Sequence, residues 1–124
     1  MTLLEPMSID PGAPLAPAGS QPLLTSRTAH RDGIYVVALY GELDLATAPD
    51  VQRELDRAEA SDAREIVLDL SGLRFIDSTG LRLVLTAHAR SRSDGDRLRL
   101  LRGSEPVHRV FDLCGLGERL PFIG

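Results

Sequence analysis

LDLSGLRFIDSTGLRLVL, residues 68–85, is the stretch that decides the fold of this chain. Its first residues end an apolar run, 64–70, that is short enough to be a buried strand. Its last residues have apolar side chains at helical spacing, which predicts a helix from about Thr79 to Ser91. Residues 71–77 are expected to form the loop between them. A buried strand that leads into a helix is typical of an α/β protein.

The segments on either side repeat this alternation of strand and helix. Asp32-Gly33 predicts a tight turn between the first two strands. The predicted elements are, in chain order, strands 25–31 and 34–40, a helix 48–60, a strand 64–70, a helix 79–91, a strand 97–102, a helix that follows Ser104 and a short edge strand 120–123. This order predicts the α/β class, with a mixed β-sheet of about four to five strands covered by about three helices.

Two helix starts carry capping signals, and all three helices carry an apolar stripe. Thr47 with Asp50 three residues later predicts a capping box for the first helix, and Ser104 is the predicted N-cap of the third. The residues expected to face the core are Val51, Leu55 and Ala58, then Leu81, Val84, Leu85 and His88, then Val107, Val110, Phe111 and Cys114.

The strand RLRLLR, 97–102, alternates basic and apolar residues at its start. Leu98 and Leu100 are therefore expected to face the core, and Arg97 and Arg99 to face water. The single cysteine, Cys114, is expected to pack on its helix as a small hydrophobe.

Composition excludes several classes of function. At 124 residues the chain is one domain long, and its net charge of −4 gives nucleic acid no reason to bind. One Cys and three His make neither a disulfide nor a zinc pattern, so no cofactor is expected. No apolar run reaches the roughly 18 residues that cross a bilayer, and the N-terminus has no secretory signal, so no membrane contact is expected and the expected compartment is the cytoplasm.

Residues 1–24 differ in composition from the rest. They hold five of the eight prolines, and their apolar residues follow no period. We predict a disordered, dispensable tail followed by a single domain over residues 25–124.

Ser78 is the leading candidate for chemistry. It is expected at a strand–helix corner, where a partner can reach its hydroxyl. The free N–H groups of the first helical turn and the positive end of the helix dipole favour negative charge there. Gly80 lets another backbone or a phosphate approach closely. The alternative interpretation of Ser78 is an ordinary N-cap.

Three segments together carry a resemblance to a known family. They are DSTGL at 77–81, GELDLATAP at 41–49 and LCGLGERLPFI at 113–123. From about Thr25 to its end the chain resembles the STAS-domain anti-sigma factor antagonists. In that family the first serine after the aspartate is phosphorylated, and that position here is Ser78. The next position is commonly Ser and is Thr79 here, which is a mild departure.

The resemblance implies a partner switch in which the protein is a binding module and not an enzyme. The unphosphorylated form would bind an anti-sigma factor, a GHKL-type serine kinase, and so release a sigma factor. Phosphorylation of Ser78 by that kinase would end the interaction, and a PPM-type serine phosphatase would reverse it. The residues expected at the partner interface are Asp44, Asp77, Ser78, Thr79 and Gly80.

Two alternatives remain open. Asp44 is either a contact to the kinase that helps to align Ser78, as the resemblance implies, or a solvated loop carboxylate. The protein is either the switch described above or a structural STAS subunit of a signalling scaffold or a lipid-transport complex. A hydrolase is disfavoured, because the sequence lacks a Gly-x-Ser-x-Gly elbow.

Overall fold

Four strands and three helices make up the part of the chain that the structure, a computed structural model, describes, residues 23–124. In chain order they are β1 (Leu24–Arg31), β2 (Ile34–Leu43), α1 (Ala48–Ala60), β3 (Glu65–Ile76), α2 (Ser78–Arg92), β4 (Leu98–Leu101) and α3 (Glu105–Leu113). The predicted α/β class and the predicted numbers of strands and helices are confirmed.

The strands form one mixed sheet in the order β1-β2-β3-β4. β1 and β2 are antiparallel, and the predicted turn joins them with positive φ at Asp32 (55°) and Gly33 (81°). β2, β3 and β4 are parallel, with α1 and α2 as the crossovers. Right-handed crossovers in the same direction place both helices on one face, where Arg90 of α2 pairs with Glu59 of α1.

Alternate residues of the parallel strands form the buried face of the sheet. The fully or almost fully buried ones are Val37, Leu39, Ile66, Leu68, Leu70, Leu98 and Leu100. Val51, Leu55 and Ala58 of α1 are buried in the same core, as predicted. The burial of Leu98 and Leu100 confirms the predicted register of β4.

β2 and β3 are longer than the sequence predicts, because their parallel ladder continues to Leu43 and Ile76. The sequence predicts loops over 41–46 and 71–77, but the strands take up residues 41–43 of the first and 71–76 of the second. Leu43, Leu73 and Ile76 are buried, so the extended ends belong to the core. Two register shifts let the ladder pass residues that usually mark loops.

The predicted edge strand over 120–123 is reduced to a single bridge between Phe122 and Leu100. The Leu100 N–H donates to the Pro121 carbonyl, and the Ile123 N–H donates to the Leu100 carbonyl, both at 2.9 Å. Pro121 has no N–H, so it cannot donate to a ladder.

The buried face of α2 is rotated from the predicted one. Leu83 is buried together with Leu81 and Val84, whereas Leu85 is 36% exposed and His88 is only partly buried. Because α2 contacts α1 as well as the sheet, its buried face is wider than a single stripe and includes Leu83.

Arg97 does not face water, which contradicts the prediction. Its side chain is only 15% exposed. The guanidinium donates to the carbonyls of Glu59 and Ala63 at 2.8 Å and pairs with Asp94. Glu59 belongs to the last turn of α1, where carbonyls lack helical partners, so Arg97 satisfies that helix end from β4.

Cys114 is exposed, so the prediction that it packs in the core is wrong. α3 ends at Leu113, and Gly115 takes a left-handed conformation with φ of 72°. The Leu116 N–H donates to the Phe111 carbonyl at 2.8 Å, which is the bond of a Schellman turn. That turn redirects the chain, and Leu116 packs against the core instead.

Residues 1–22, and with them most of the predicted tail 1–24, lie outside the described residues. Leu24 begins β1, and the Leu23 carbonyl accepts a hydrogen bond from the Glu42 N–H at 2.7 Å. The helices described over residues 23–124 include none that combines the length and apolar character of a membrane span.

Candidate functional site

The predicted site residues lie at one edge of the sheet. β2, β3 and β4 run parallel, so their last residues share this edge, and each is followed by a helix that begins there. We call it the carboxyl edge and define it by the strand ends Leu43, Ile76 and Leu101 with the helix starts that follow them. Partners and ligands of α/β proteins commonly bind at such an edge. Asp44 follows β2, and residues 77–80 follow the neighbouring strand β3.

A direct contact joins the segments that follow β2 and β3. The Asp77 N–H donates to the Leu43 carbonyl at 3.2 Å. A Cβ on Gly80 would lie 2.9 Å from that carbonyl oxygen and 2.8 Å from Leu43 Cγ. The close approach that the sequence predicts at Gly80 is therefore made by the end of β2, and it is buried.

Asp77, not Ser78, caps α2. The Asp77 side chain accepts a hydrogen bond from the Gly80 N–H at 3.0 Å, and its carbonyl accepts one from the Leu81 N–H at 2.9 Å. The interpretation of Ser78 as an ordinary N-cap is therefore wrong. α2 begins at Ser78, one residue before the predicted start, and the Ser78 hydroxyl is not needed to begin the helix.

Ser78 occupies the first position of α2 and is exposed, whereas Thr79 is partly buried. The first turn of the helix contains no acidic residue after the Asp77 cap. Backbone N–H groups of a first turn and the helix dipole both attract negative charge. The electrostatics of this position therefore suit an anionic group on the Ser78 oxygen.

Asp44 organises the loop between β2 and α1. Its Oδ1 accepts hydrogen bonds from the N–H groups of Ala46 at 3.0 Å and Thr47 at 3.1 Å. Its carbonyl accepts one from the Ala48 N–H at 2.8 Å. Asp44 is therefore a partly exposed loop carboxylate whose side chain also holds the loop and the start of α1, and its contact to the kinase stays a prediction.

Thr47 completes this loop and occupies the predicted N-cap position of α1, but its side chain bonds elsewhere. Its buried hydroxyl donates to the Glu42 carbonyl at 2.8 Å and accepts from the Asp44 N–H at 3.0 Å. It makes no cap bond to α1, and Asp50 pairs with Arg53, so the predicted capping box is wrong. The signal that could have found this loop is the Asp-x-x-Thr spacing, because both side chains bond to nearby backbone.

Exposed apolar side chains flank the site, and sequence reasoning missed them. Leu45 is 75% exposed and Phe75 is 47% exposed. Phe75 pairs with Glu42 in the β2–β3 ladder, one residue before the buried pair of Leu43 and Ile76. Alternation along a strand therefore directs Phe75 away from the core.

The geometry suits recognition by another macromolecule. The groove between α1 and α2, lined by residues that include Glu59, Leu85 and Arg90, contains none of the predicted site residues. Within residues 23–124 no group of three or more His, Cys, Asp or Glu side chains could hold a metal ion. The carboxyl edge offers an exposed hydroxyl, a helix N-terminus and apolar side chains, which together fit a protein surface.

Known proteins share this fold and up to about a third of the aligned sequence. The STAS domain family model matches residues 25–123. An anti-sigma F factor antagonist of Paenibacillus polymyxa is 34% identical over 93 residues, which are 74% of this chain and 80% of that protein.

Two solved structures extend the likeness. The crystal structure of an anti-sigma factor antagonist from Mycobacterium paratuberculosis has a TM-score of 0.70 and 27% identity, over 80% of this chain and 84% of that one. The Bacillus cell fate determinant SpoIIAA, in its phosphorylated form, has a TM-score of 0.62 and 25% identity, over 80% of this chain and 89% of that one.

Proposed function

Because the chain belongs to the STAS domain family, we propose that it is an anti-sigma factor antagonist that phosphorylation of Ser78 switches off. The unphosphorylated form binds an anti-sigma factor, which is a GHKL-type serine kinase, and so releases a sigma factor. Both the kinase and its ATP are cytoplasmic, and so is the proposed site of action. The observation that carries the proposal is the exposed Ser78 hydroxyl at the first position of α2.

The covalent step needs only ATP and the kinase. The Ser78 oxygen forms a bond to the γ-phosphorus of ATP, the bond from that phosphorus to ADP breaks, and the hydroxyl proton leaves to a base. A PPM-type phosphatase reverses the state by hydrolysis, in which water takes the phosphoryl group as inorganic phosphate. The protein itself supplies an accessible hydroxyl and is the substrate of both reactions.

The domain tolerates the phosphate because of where Ser78 lies. A phosphate adds about −1.5 to −2 charge, and at a helix N-terminus the dipole stabilises such charge by about 0.3–1 kcal/mol. The Asp77 cap bond to Gly80 remains available, since it does not use the Ser78 hydroxyl. Phosphorylation is therefore expected to leave the fold intact.

The same phosphate weakens binding of the partner kinase. An interface that accommodates a neutral hydroxyl must accept a dianion, and the Asp77 carboxylate beside it adds negative charge to the same surface. Loss of one buried polar match costs about 1–3 kcal/mol, and repulsion adds to that. The expected result is a weaker complex with the kinase, and this is the switch.

A phosphate-transfer assay tests the proposal. The purified GHKL-type serine kinases of the source bacterium are each incubated with radiolabelled ATP and with wild type, Ser78→Ala or Thr79→Ala. We expect one kinase to label wild type and Thr79→Ala, and to leave Ser78→Ala unlabelled. Label on Thr79, or equal labelling of Ser78→Ala, would contradict the proposal. Mass spectrometry of protein from stressed and unstressed cells would then locate the phosphate in vivo.

A further inference from the structure

Leu45 is an apolar side chain that lies in water on a loop held by several hydrogen bonds. It is 75% exposed, although a single exposed leucine elsewhere on a surface would need no explanation. Leu45 differs because the loop that carries it is fixed. Asp44 and Thr47, on either side of it, exchange hydrogen bonds through both backbone and side chain. These bonds hold the backbone of the loop, and with it the Cα atom of Leu45, in one position.

A fixed loop matters for binding because ordering a side chain and its backbone reduces affinity. A preorganised apolar group avoids much of that entropy cost. The hydroxyl of Thr47 is buried, and its bond to the Glu42 carbonyl ties the loop to the end of β2. The position of Leu45 thus follows from the sheet itself.

Leu45 lies near Ser78 because of the contact between the two segments. It is two residues beyond Leu43, whose carbonyl accepts the Asp77 N–H, and Ser78 follows Asp77. Phe75 precedes Asp77 by two residues and is about half exposed. Two residues span at most about 7 Å, so the backbones of Leu45 and Phe75 each lie within about 7 Å of one partner of the hydrogen bond that joins the strand ends.

We propose that Leu45 and Phe75 are the apolar anchors by which the carboxyl edge binds the anti-sigma factor kinase. This inference rests on the proposed function and specifies its interface. The occupant is the kinase because it must cover Ser78 to phosphorylate it, and both side chains are exposed on the two segments that meet next to that residue. Large side chains that fill a partner's pocket dominate the affinity of many interfaces. A phosphate on Ser78, next to these apolar contacts, would hold water in the interface and so weaken the complex.

Leu113 is a matched control for Leu45. It is 79% exposed, so truncation removes as much exposed apolar surface. It is the last residue of α3, whereas the carboxyl edge holds the first residues of the helices. A partner seated over Ser78 therefore has no reason to contact Leu113.

The test is titration calorimetry of the kinase against full-length wild type, Leu45→Ala, Phe75→Ala and Leu113→Ala. The kinase is the one that labels wild type with radiolabelled ATP. We expect Leu45→Ala to weaken binding at least tenfold, Phe75→Ala about fivefold or more, and Leu113→Ala less than twofold. Leu45→Met, which keeps an apolar side chain of similar size, should recover most of the affinity. Thermal unfolding should be unchanged in the Leu45 and Leu113 variants, whose side chains are exposed, and a cooperative transition should show that Phe75→Ala is folded.

The outcomes separate this inference from the proposed function. If wild type is labelled and bound but Leu45→Ala binds as tightly as Leu113→Ala, the anchor assignment is wrong and the switch stands. If Leu113→Ala weakens binding tenfold, as Leu45→Ala is expected to, the kinase does not bind chiefly at the carboxyl edge and the assignment is also wrong. If no GHKL-type kinase of the organism binds or labels wild type, the proposed function fails and the inference fails with it.

Discussion

The starts of α1 and α2 lie side by side at the carboxyl edge, yet they are built differently. At α1, the side chains of Asp44 and Thr47 form hydrogen bonds with the backbone around them, and Thr47 is buried. At α2, Asp77 alone caps the helix, and the next side chain, Ser78, is exposed. The first helix start is a rigid support and the second leaves a reactive group accessible. The difference separates residues that position a site from the residue that is modified.

The largest expected effect is on Ser78. Ser78→Asp should remain folded but bind the kinase tenfold to several hundredfold more weakly. The lost polar match costs about 1–3 kcal/mol, repulsion adds to that, and each tenfold change in affinity corresponds to about 1.4 kcal/mol. Ser78→Ala should bind as well as wild type and leave the sigma factor permanently released. Titration calorimetry measures both. Ser93→Asp, at the other end of α2, is the charge-matched control and should bind within about twofold of wild type. Equal affinity for Ser78→Asp and wild type would show that charge at the start of α2 does not control binding.

Thr47→Val tests the rigid start. Valine has the shape of threonine without its hydroxyl, so the Glu42 carbonyl and the Asp44 N–H lose a partner. Unpaired buried groups cost about 1–3 kcal/mol, and we expect the free energy of unfolding in urea to fall by that amount. Thr86→Val, on the exposed face of α2, should change it by less than about 0.5 kcal/mol. Similar values for the two variants would show that the loop is not held through Thr47.

Gly80→Ala tests the contact that joins the two helix starts. Alanine favours a helix over glycine by about 1 kcal/mol, so an uncrowded site would be stabilised. Here the new Cβ would meet the Leu43 carbonyl at 2.9 Å and Ile76 Cγ1 at 2.7 Å. Overpacking of this kind costs about 1–3 kcal/mol, so we expect a net loss of up to about 2 kcal/mol in urea unfolding. A gain in stability would mean that the two segments separate easily.

The smallest expected effect compares two caps. Asp77→Ala removes the bond to the Gly80 N–H and should lower the free energy of unfolding by about 1 kcal/mol. Ser104 occupies the N-cap position of α3 but makes no side-chain cap bond. Ser104→Ala should therefore cost less than about 0.5 kcal/mol. Thermal unfolding of both variants measures the difference, and an equal loss would show that cap geometry does not distinguish these helices.

The sequence could predict what depends on local periodicity and local turn chemistry. Asp32-Gly33 specifies its hairpin turn, and the stripe of Val51, Leu55 and Ala58 specifies the buried face of α1. The order of strands and helices then leaves few topologies. The family resemblance through DSTGL, 77–81, is confirmed by the match over residues 25–123.

The features that the sequence did not predict depend on contacts between distant segments. Gly72 and Arg74 are residue types that favour a loop, and they belong to a strand because β3 pairs with β2. Arg97 has the spacing of a water-facing residue, but its long side chain reaches carbonyls at the end of α1. The bonds of Thr47 and the exposure of Leu45 at the carboxyl edge likewise follow from how the β2–α1 loop folds back on β2.

The turn at Gly115 that removes Cys114 from the core also makes the chain convenient to label. Cys114 is the single cysteine of the sequence, and its thiol is exposed beyond the end of α3. A thiol-reactive fluorophore can therefore be attached to the unmutated protein at one position. Since the helices begin at the carboxyl edge and α3 ends before Cys114, the dye stands apart from Ser78. Fluorescence anisotropy of this conjugate would follow capture by a kinase, and release after ATP is added, in real time.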